Sequence, residues 1–330
     1  MRRDSTRVGW AFMAPFWLGV GLLIGLPLVV GGVYAFTDHT GLGEPTFNGL
    51  DNARRALADP LLAASLRASL AYVLLAVPLR LITGIGLALL LAGRAPGFRG
   101  ARAAVYTPSV MPDVALALVA GWAVNPMFGP VNHVLGLLGL PEPVWLSSPW
   151  GARTVVAVMM ALAVGETFLV VLAARRAVPV DEYAAAALDG AGPVQQLRHV
   201  TWPRLSPLFA LLAVREVAVA LHVNFVPVYL LTDGGPDAAT LFLPLYIFDQ
   251  AFEFLGFGYA AFLSLALFVV SVGLVVVVAV IALGPRALRR RSAPDDPRAT
   301  GAPTVEQEVD EKARHAAAGR GALDPTISRS

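Results

Sequence analysis

The chain has 330 residues, 56% of them hydrophobic and only 15% charged, with a mean hydropathy of +0.66, so the expected solvent is a bilayer. It contains no cysteine, and His39, His133, His199, His222 and His315 are scattered without metal-ligand spacing, which excludes disulfides and thiolate chemistry and argues against a zinc enzyme. The formal net charge is +2, but the lone lysine, Lys312, follows Glu311 in a polar stretch, so the lysine that a glycine-rich nucleotide loop needs is missing: if ATP drives this protein, another chain binds and hydrolyses it.

Six apolar stretches are long enough to cross a membrane, at 10–36, 66–92, 103–124, 151–174, 205–231 and 259–283. The first follows Arg2, Arg3 and Arg7, and its apolar core is too long for a cleaved leader, so it reads as retained. Before the second, Asp51, Arg54, Arg55 and Asp59 mark a surface helix. Pro112, just ahead of Asp113, predicts a bend in the third span. The stretch 241–257 reads as an amphipathic helix on the outer surface, with Asp249 and Glu253 on one face and Leu245, Phe248 and Phe252 turned towards lipid or protein. From Pro285 the chain turns polar, which predicts a disordered tail with one short helix near 305–318. The expected organisation is all-α: an N-terminus at 1–9, a six-span domain at 10–285 and a tail at 286–330.

Arginine placement orients the spans. Arg94, Arg99 and Arg102, then Arg175, Arg176, Arg198 and Arg204, and finally Arg286, Arg289, Arg290 and Arg291 fall on one side, whereas 125–150 and 232–258 contain no lysine or arginine. Both termini are therefore expected to be cytoplasmic in a multi-pass protein of the cell membrane.

Within the spans, Arg80, Asp113, Glu166, Arg215 and Glu216 all come out roughly 14–20 Å from the cytoplasmic ends at the rise of an α-helix. Charges at that depth face a cavity or each other. Two readings stay open: interhelical pairing, as of Glu166 with Arg215, or a lining for a translocation path. His222 and Asn224 lie nearer the outer side and are candidates for the same path.

The connection between the fourth and fifth stretches holds a short run of helix formers, with Asp181 expected as its N-cap and Gly190 ending it in a left-handed conformation. Here Ala184-Ala185-Ala186 is followed after three residues by Gly190, after nine more by Val200, and then by Trp202-Pro203. This spacing resembles the signature Glu-Ala-Ala, Gly, Ile, Leu-Pro of the inner-membrane permease subunits of ABC importers, the maltose-type, binding-protein-dependent systems that take up carbohydrate or glycerol phosphate. Asp189-Gly190-Ala191 matches as well. Gly49-Leu50-Asp51-Asn52 with Asp59-Pro60, Leu231-Thr232-Asp233-Gly234-Gly235-Pro236, and Ala251-Phe252-Glu253-Phe254 with Gly258-Tyr259-Ala260 resemble other segments of that family in the same order. The departures are Ala184 for glutamate, Val200 for isoleucine and Trp202 for leucine.

The resemblance implies a transport subunit without catalytic residues, metal or cofactor of its own, with ATP and magnesium held by a partner. Glu182, Ala184, Ala185, Ala186, Asp189, Gly190, Ala191 and Pro203 would form the surface on which a cytoplasmic ABC ATPase dimer docks. A second homologous permease would complete the path, an extracytoplasmic binding protein would deliver the solute, membrane lipid would surround the spans, and nucleic acid has no role. The alternatives are an ion-coupled secondary transporter, with Glu166 or Asp113 carrying a proton, and an intramembrane hydrolase, which lacks a motif at catalytic spacing.

Overall fold

The computed structural model describes residues 2–41, 43–93, 95–222 and 225–291, and the described residues are helical nearly throughout. Helix α1 (Arg2–Val20) passes through a π-turn at Gly21–Gly25 into α2 (Leu26–Tyr34), and Phe12–Tyr34 is long and apolar enough to cross a membrane. None of its most apolar window is buried by the rest of the chain. A surface helix, α3 (Asp51–Ala58), leads into α4 (Pro60–Leu90). The start of α4 is fixed chemically: Asp59 accepts the N–H groups of Leu61 and Leu62 at 2.9 and 3.2 Å, and Pro60 has no N–H to leave unpaired. Tyr72, Ala76, Arg80, Gly84 and Ala88 recur at helical spacing along its buried face. At Gly84 a Cβ would stand 2.9 Å from Thr167 Cγ2, so glycine there lets two helices approach closely.

The third stretch is bent through 107° between α5 (Phe98–Tyr106), with its 3-10 extension to Val110, and α6 (Asp113–Ala123). Pro112 stands at the N-cap of α6 in an extended conformation, where its missing N–H costs nothing. After α7 (Pro130–Leu137), the fourth stretch differs from the unbroken span expected: α8 (Pro149–Leu162) and α9 (Gly165–Ala177) meet at 43°. No proline causes this break. Side chains from neighbouring helices hold the freed backbone groups, as described below. The loop helices α10 (Val180–Leu188) and α11 (Pro193–Gln196) then lead through a π-turn into α12 (Trp202–His222). In the fifth stretch α12 is described to His222 and α13 over Phe225–Leu231.

The segment 241–257 is largely packed into the bundle in its first half and exposed over 252–255. Helix α14 (Leu243–Phe248), with a π-turn at Asp249–Glu253, inserts Leu243, Leu245 and Tyr246 into the core beside Tyr72 and Phe242, and Leu243 N–H donates to Ser69 Oγ at 2.9 Å. Of the three side chains expected to face lipid or protein, Leu245 is fully buried against protein, Phe248 partly so and Phe252 exposed. Finally α15 (Phe257–Arg291) runs past residue 285, where the tail was expected to begin. Residues 292–330, with the helix expected near 305–318, lie outside the described residues, as does Arg94.

Among the described residues four helices are long and apolar enough to cross a membrane, or up to six if each bent pair counts as one span. Around α4 pack α8, α9 and α12, and two apolar clusters share this bundle. The cluster containing Phe168, Val171, Leu205, Phe209 and Leu212 also receives Tyr183 and Val200 from the connection between α9 and α12.

Candidate translocation path and docking surface

Four of the five charges placed at one depth meet in one network. Arg80 is nearly buried (9% of its side chain exposed) and Glu216 fully so, and Arg80 Nε donates to Glu216 Oε2 at 2.7 Å. Arg80 also donates Nη1 to Met160 O at 2.8 Å and Nη2 to Ala163 O at 3.5 Å. Thr83 Oγ1 reaches Ala161 O at 3.3 Å, and Gly165 N–H donates to Ser109 Oγ at 2.6 Å. These are backbone groups that the break between α8 and α9 removes from the helical ladder. The buried arginine therefore holds the broken helix, and Glu216 neutralises it with help from Thr167 Oγ1, which donates to Glu216 Oε1 at 2.7 Å.

The network continues outwards. Arg215 Nη1 donates to Glu216 Oε1 at 3.0 Å, and Arg215 Nη2 pairs with Glu166. Arg215 is 39% exposed and Glu166 73%, so this pair lies at the chain's surface although it sits on helices that read as spans. Asp113 stands exposed at the first turn of α6 and makes no ion pair among the described residues. His222 is also exposed, with Nδ1 2.9 Å from Ala218 O. Asn224 lies outside the described residues.

The loop between α9 and α12 is built as a braced projection. Helix α10 starts at Pro179, not at Asp181; Asp181 sits in the first turn and makes no capping bond. Because Pro179 takes an extended conformation and cannot continue a helix backwards, the start falls two residues early. The other end agrees with expectation. Gly190 has φ +79°, its N–H donates to Ala187 O at 3.0 Å, and Ala191 N–H donates to Ala186 O at 2.9 Å, the paired bonds of a Schellman ending. Asp189 is the C-cap and donates its N–H to Ala185 O.

Three contacts tie α10 to the bundle. Glu182 forms a two-pronged pair with Arg204 of α12, with Oε2 to Nε at 3.0 Å. Arg175 of α9 lies 4.0 Å over the Tyr183 ring, and Tyr183 Oη is 2.9 Å from Thr201 Oγ1. Glu182 is thus turned inwards, whereas Val180 (79% exposed), Ala184 and Leu188 (90%) form an i, i+4, i+8 row facing out, with Val194 beyond. Pro203 lies in the first turn of α12, with its carbonyl accepting from Ser206 Oγ.

A family model described as the binding-protein-dependent transport system inner membrane component matches residues 80–289, which is most of the chain and includes both the charge network and the loop. The chain belongs to this permease family. Among curated relatives, the permease is 28% identical over 84% of its length to the probable ABC transporter permease protein YesP of Bacillus subtilis (strain 168), covering 90% of that protein. It is 28% identical to the sulfoquinovosyl glycerol transport system permease protein SmoG of Agrobacterium fabrum, over 78% of this chain and 85% of the other. To the trehalose/maltose transport system permease protein MalF of Thermococcus litoralis it is 27% identical, over 84% and 94%. A bacterial ABC transporter involved in the import of the acidic polysaccharide alginate contains a chain with the same fold: TM-score 0.73 at 21% identity, covering 85% of the permease and 97% of that chain. A second structure of the alginate transporter, in complex with an alginate pentasaccharide-bound periplasmic protein, gives the same score over 87% and 98%. The permease is accordingly a transport component and not an enzyme, and the relatives give no support to an ion-coupled carrier.

Several residues that organise the permease escaped the sequence reading. Thr83, Ser109 and Thr167 serve the network, but an isolated hydroxyl in an apolar helix carries no visible partner in sequence. Asp59 does more than cap α4. Its Oδ2 accepts Tyr246 Oη at 2.5 Å and Tyr259 Oη at 2.7 Å, while Arg55 bonds Gln250 at 3.0 Å and covers the Tyr259 ring at 3.9 Å. Burial pushes the Asp59 carboxyl up, but the hydrogen bonds from both tyrosines and from Leu62 and Leu61 prevail and hold it below its ordinary value. Asp249 goes the other way. Burial, with Glu253 and Asp233 nearby, raises it to about 6.

Proposed function

We propose that this permease is one half of the membrane path of an ATP-driven importer for a saccharide or related polyol, glycerol phosphate included. The observation that carries the reading is the braced loop whose apolar row, Val180, Ala184 and Leu188, is held out from the bundle. An exposed apolar row on a helix tied to the bundle through Glu182 and Tyr183 is suited to an apolar groove on another protein. In this reading the occupant of the contact is an ABC ATPase dimer, which holds ATP and magnesium and moves the loop, with Glu182–Arg204 and Tyr183–Thr201 carrying the displacement into α9 and α12. Ala185, Ala186, Asp189, Gly190, Ala191 and Pro203 shape the loop.

The exposed Glu166–Arg215 pair supports a path enclosed together with a second, homologous permease, because ion pairs on spans are costly against lipid. With Asp113 and His222, and with Asn224 as a further candidate, it forms this chain's share of the lining; Arg80 and Glu216 behind it hold the broken helix. The arginine bias makes both termini cytoplasmic in the cell membrane, so an extracytoplasmic binding protein delivers solute over 37–65, 125–150 and 232–258. A carbohydrate solute follows the relatives named for trehalose/maltose and sulfoquinovosyl glycerol transport.

Affinity purification of the tagged permease from its native membranes tests this reading. An ABC ATPase is expected to co-purify, and Leu188→Asp is expected to release it while the permease remains folded. Retention of the ATPase by that variant, or its absence from the native preparation, would count against the docking assignment.

A further inference from the structure

We infer that this permease is jointed at the level of its charge network, so that the half carrying the loop between α9 and α12 bends there against the opposite half. The inference rests on the importer reading above and deepens it, because it says where movement of the loop becomes movement of the path. Its basis is that the network divides the apolar core in two. On α4, Val73 and Val77 belong to one cluster and Ala88 to the other; on α12 the division falls between Val217 and Leu212. The third and fourth stretches divide in the same way, with α6 and α8 in the first cluster and α5 and α9 against the second. Arg80, Thr83, Thr167 and Glu216 lie between. Interlocked side chains transmit strain as a block. Here, among the described residues, only Leu81 packs against both clusters, so the block is interrupted at the network.

The backbone is weakened at the same level. The fourth stretch is broken at Ala163 and Val164, the third turns through 107° between Val110 and Asp113, and Pro78 takes an N–H from the ladder of α4. Helix α12 crosses unbroken and supplies the pivot, because Glu216 accepts from Arg80 on α4 and from Thr167 on α9. Straps run across the break. Arg80 and Thr83 follow Pro78 in α4 and reach the carbonyls of Met160, Ala161 and Ala163 at the end of α8. Beyond the break, Gly165 N–H donates to Ser109 Oγ, and a Cβ at Gly165 would stand 2.7 Å from Tyr106 Cδ2, so the start of α9 is fitted to the third stretch. The two halves of the fourth stretch are tied to opposite ends of the molecule. Helix α9 is tied to the loop, through Arg175 over the Tyr183 ring, and α8 to the turn after α13, where Arg153 Nε donates to Ala239 O at 2.8 Å. A pull on the loop therefore reaches the break before it reaches α8.

The test uses the complete importer, purified with its ATPase, second permease and binding protein, and compares the nucleotide-free state with one trapped by ADP and vanadate. The chain has no cysteine, so spin labels can be placed on introduced cysteine pairs at exposed positions, with the partner chains freed of theirs. Val158 and Ala173 report across the break, Leu118 and Val158 within the opposite half, and Ala104 and Ala173 within the loop half. Each labelled importer is first shown to retain ATP-driven uptake. The Val158–Ala173 distance is expected to change on trapping by more than about 2 Å, the scale of a helix shift, and the other two by less. A second measurement locks the joint. Cβ atoms at Gly84 and Val164 would be 3.5 Å apart, which suits a disulfide. Gly84→Cys with Val164→Cys is expected to lose uptake on oxidation and to regain it with dithiothreitol. Because Thr167 Cγ2 lies 2.9 Å from a Cβ at Gly84, the label distances decide alone if that variant fails to assemble. An unchanged distance across the break, movement within either half as large as that across it, or full uptake by the oxidised pair overturns the inference and leaves the importer reading intact. Absence of ATP-driven uptake from the unmodified importer removes that reading and the inference with it.

Discussion

Replacing Glu216 by glutamine is the sharpest perturbation of the bundle. Glu216 is fully buried and accepts from Arg80 at 2.7 Å, Thr167 at 2.7 Å and Arg215 at 3.0 Å. The glutamine keeps the volume and an accepting oxygen but leaves the buried Arg80 guanidinium without its counter-charge. Removing one member of a buried ion pair costs about 3–5 kcal/mol. At about 2–4 °C per kcal/mol for a chain of this size, the melting temperature should fall on the order of 10 °C. The assay is thermal unfolding of the purified permease in detergent, followed by the loss of its monodisperse elution peak. Arg80→Met alone should also destabilise, because it leaves buried Glu216 with Arg215 at 3.0 Å as its one remaining ion-pair partner among the described residues and frees the carbonyls of Met160 and Ala163. The double variant is expected to recover most of the loss, since a neutral pair of similar size has no stranded charge. Simple addition of the two single effects would refute the account in which Arg80 and Glu216 neutralise each other while holding the broken helix.

Other perturbations separate the loop from the bundle. Glu182→Ala should leave ATPase binding intact yet lower uptake per ATP hydrolysed, because it removes the strut to Arg204 and not the docking row; a normal ratio in transport assays would contradict this. Gly190→Val should weaken coupling through backbone strain of about 1–2 kcal/mol, since φ is +79° while the space around the position is open; unchanged uptake at normal expression would count against it. Asp249, raised to about 6, binds more protons in the folded state than in the unfolded one between its ordinary value of 3.8 and 6, so its contribution to stability is lost as pH rises through that window. Asp249→Asn should therefore flatten the pH profile of melting between those values, and an unaltered profile would dismiss the effect. Asp59 has the opposite sign: its held-down carboxyl stabilises the fold above its ordinary value, and that support is lost as pH falls. Asp59→Asn should be most damaging near neutrality, as read by melting temperature against pH.

The helical membrane architecture was legible because apolar length is a strong signal, and Gly190 was legible because a left-handed helix ending favours glycine. The breaks were less so. Pro112 announced the bend in the third stretch, but the bend between α8 and α9 has no proline and depends on Arg80, Thr83 and Ser109, which come from two other helices. The two faces of α14 were legible from Asp249 and Glu253 against Leu245, but the depth to which Leu243, Leu245 and Tyr246 are buried depends on partners far off in sequence, Tyr72, Ser69 and Phe242 among them. Depth arithmetic brought Arg80, Glu166, Arg215 and Glu216 to one level, yet their division into a buried half and an exposed half follows from which side of each helix meets α4. Glu182 was placed on the loop by its neighbourhood in sequence; its pairing with Arg204 required the approach of α12.

The most direct test of the coupling assignment is solute accumulation in proteoliposomes that contain the purified permeases, ATPase and binding protein. Uptake that requires ATP, and that fails when the ATPase is omitted, is the predicted result. Uphill uptake by this polypeptide alone on an ion gradient, without nucleotide, would contradict it.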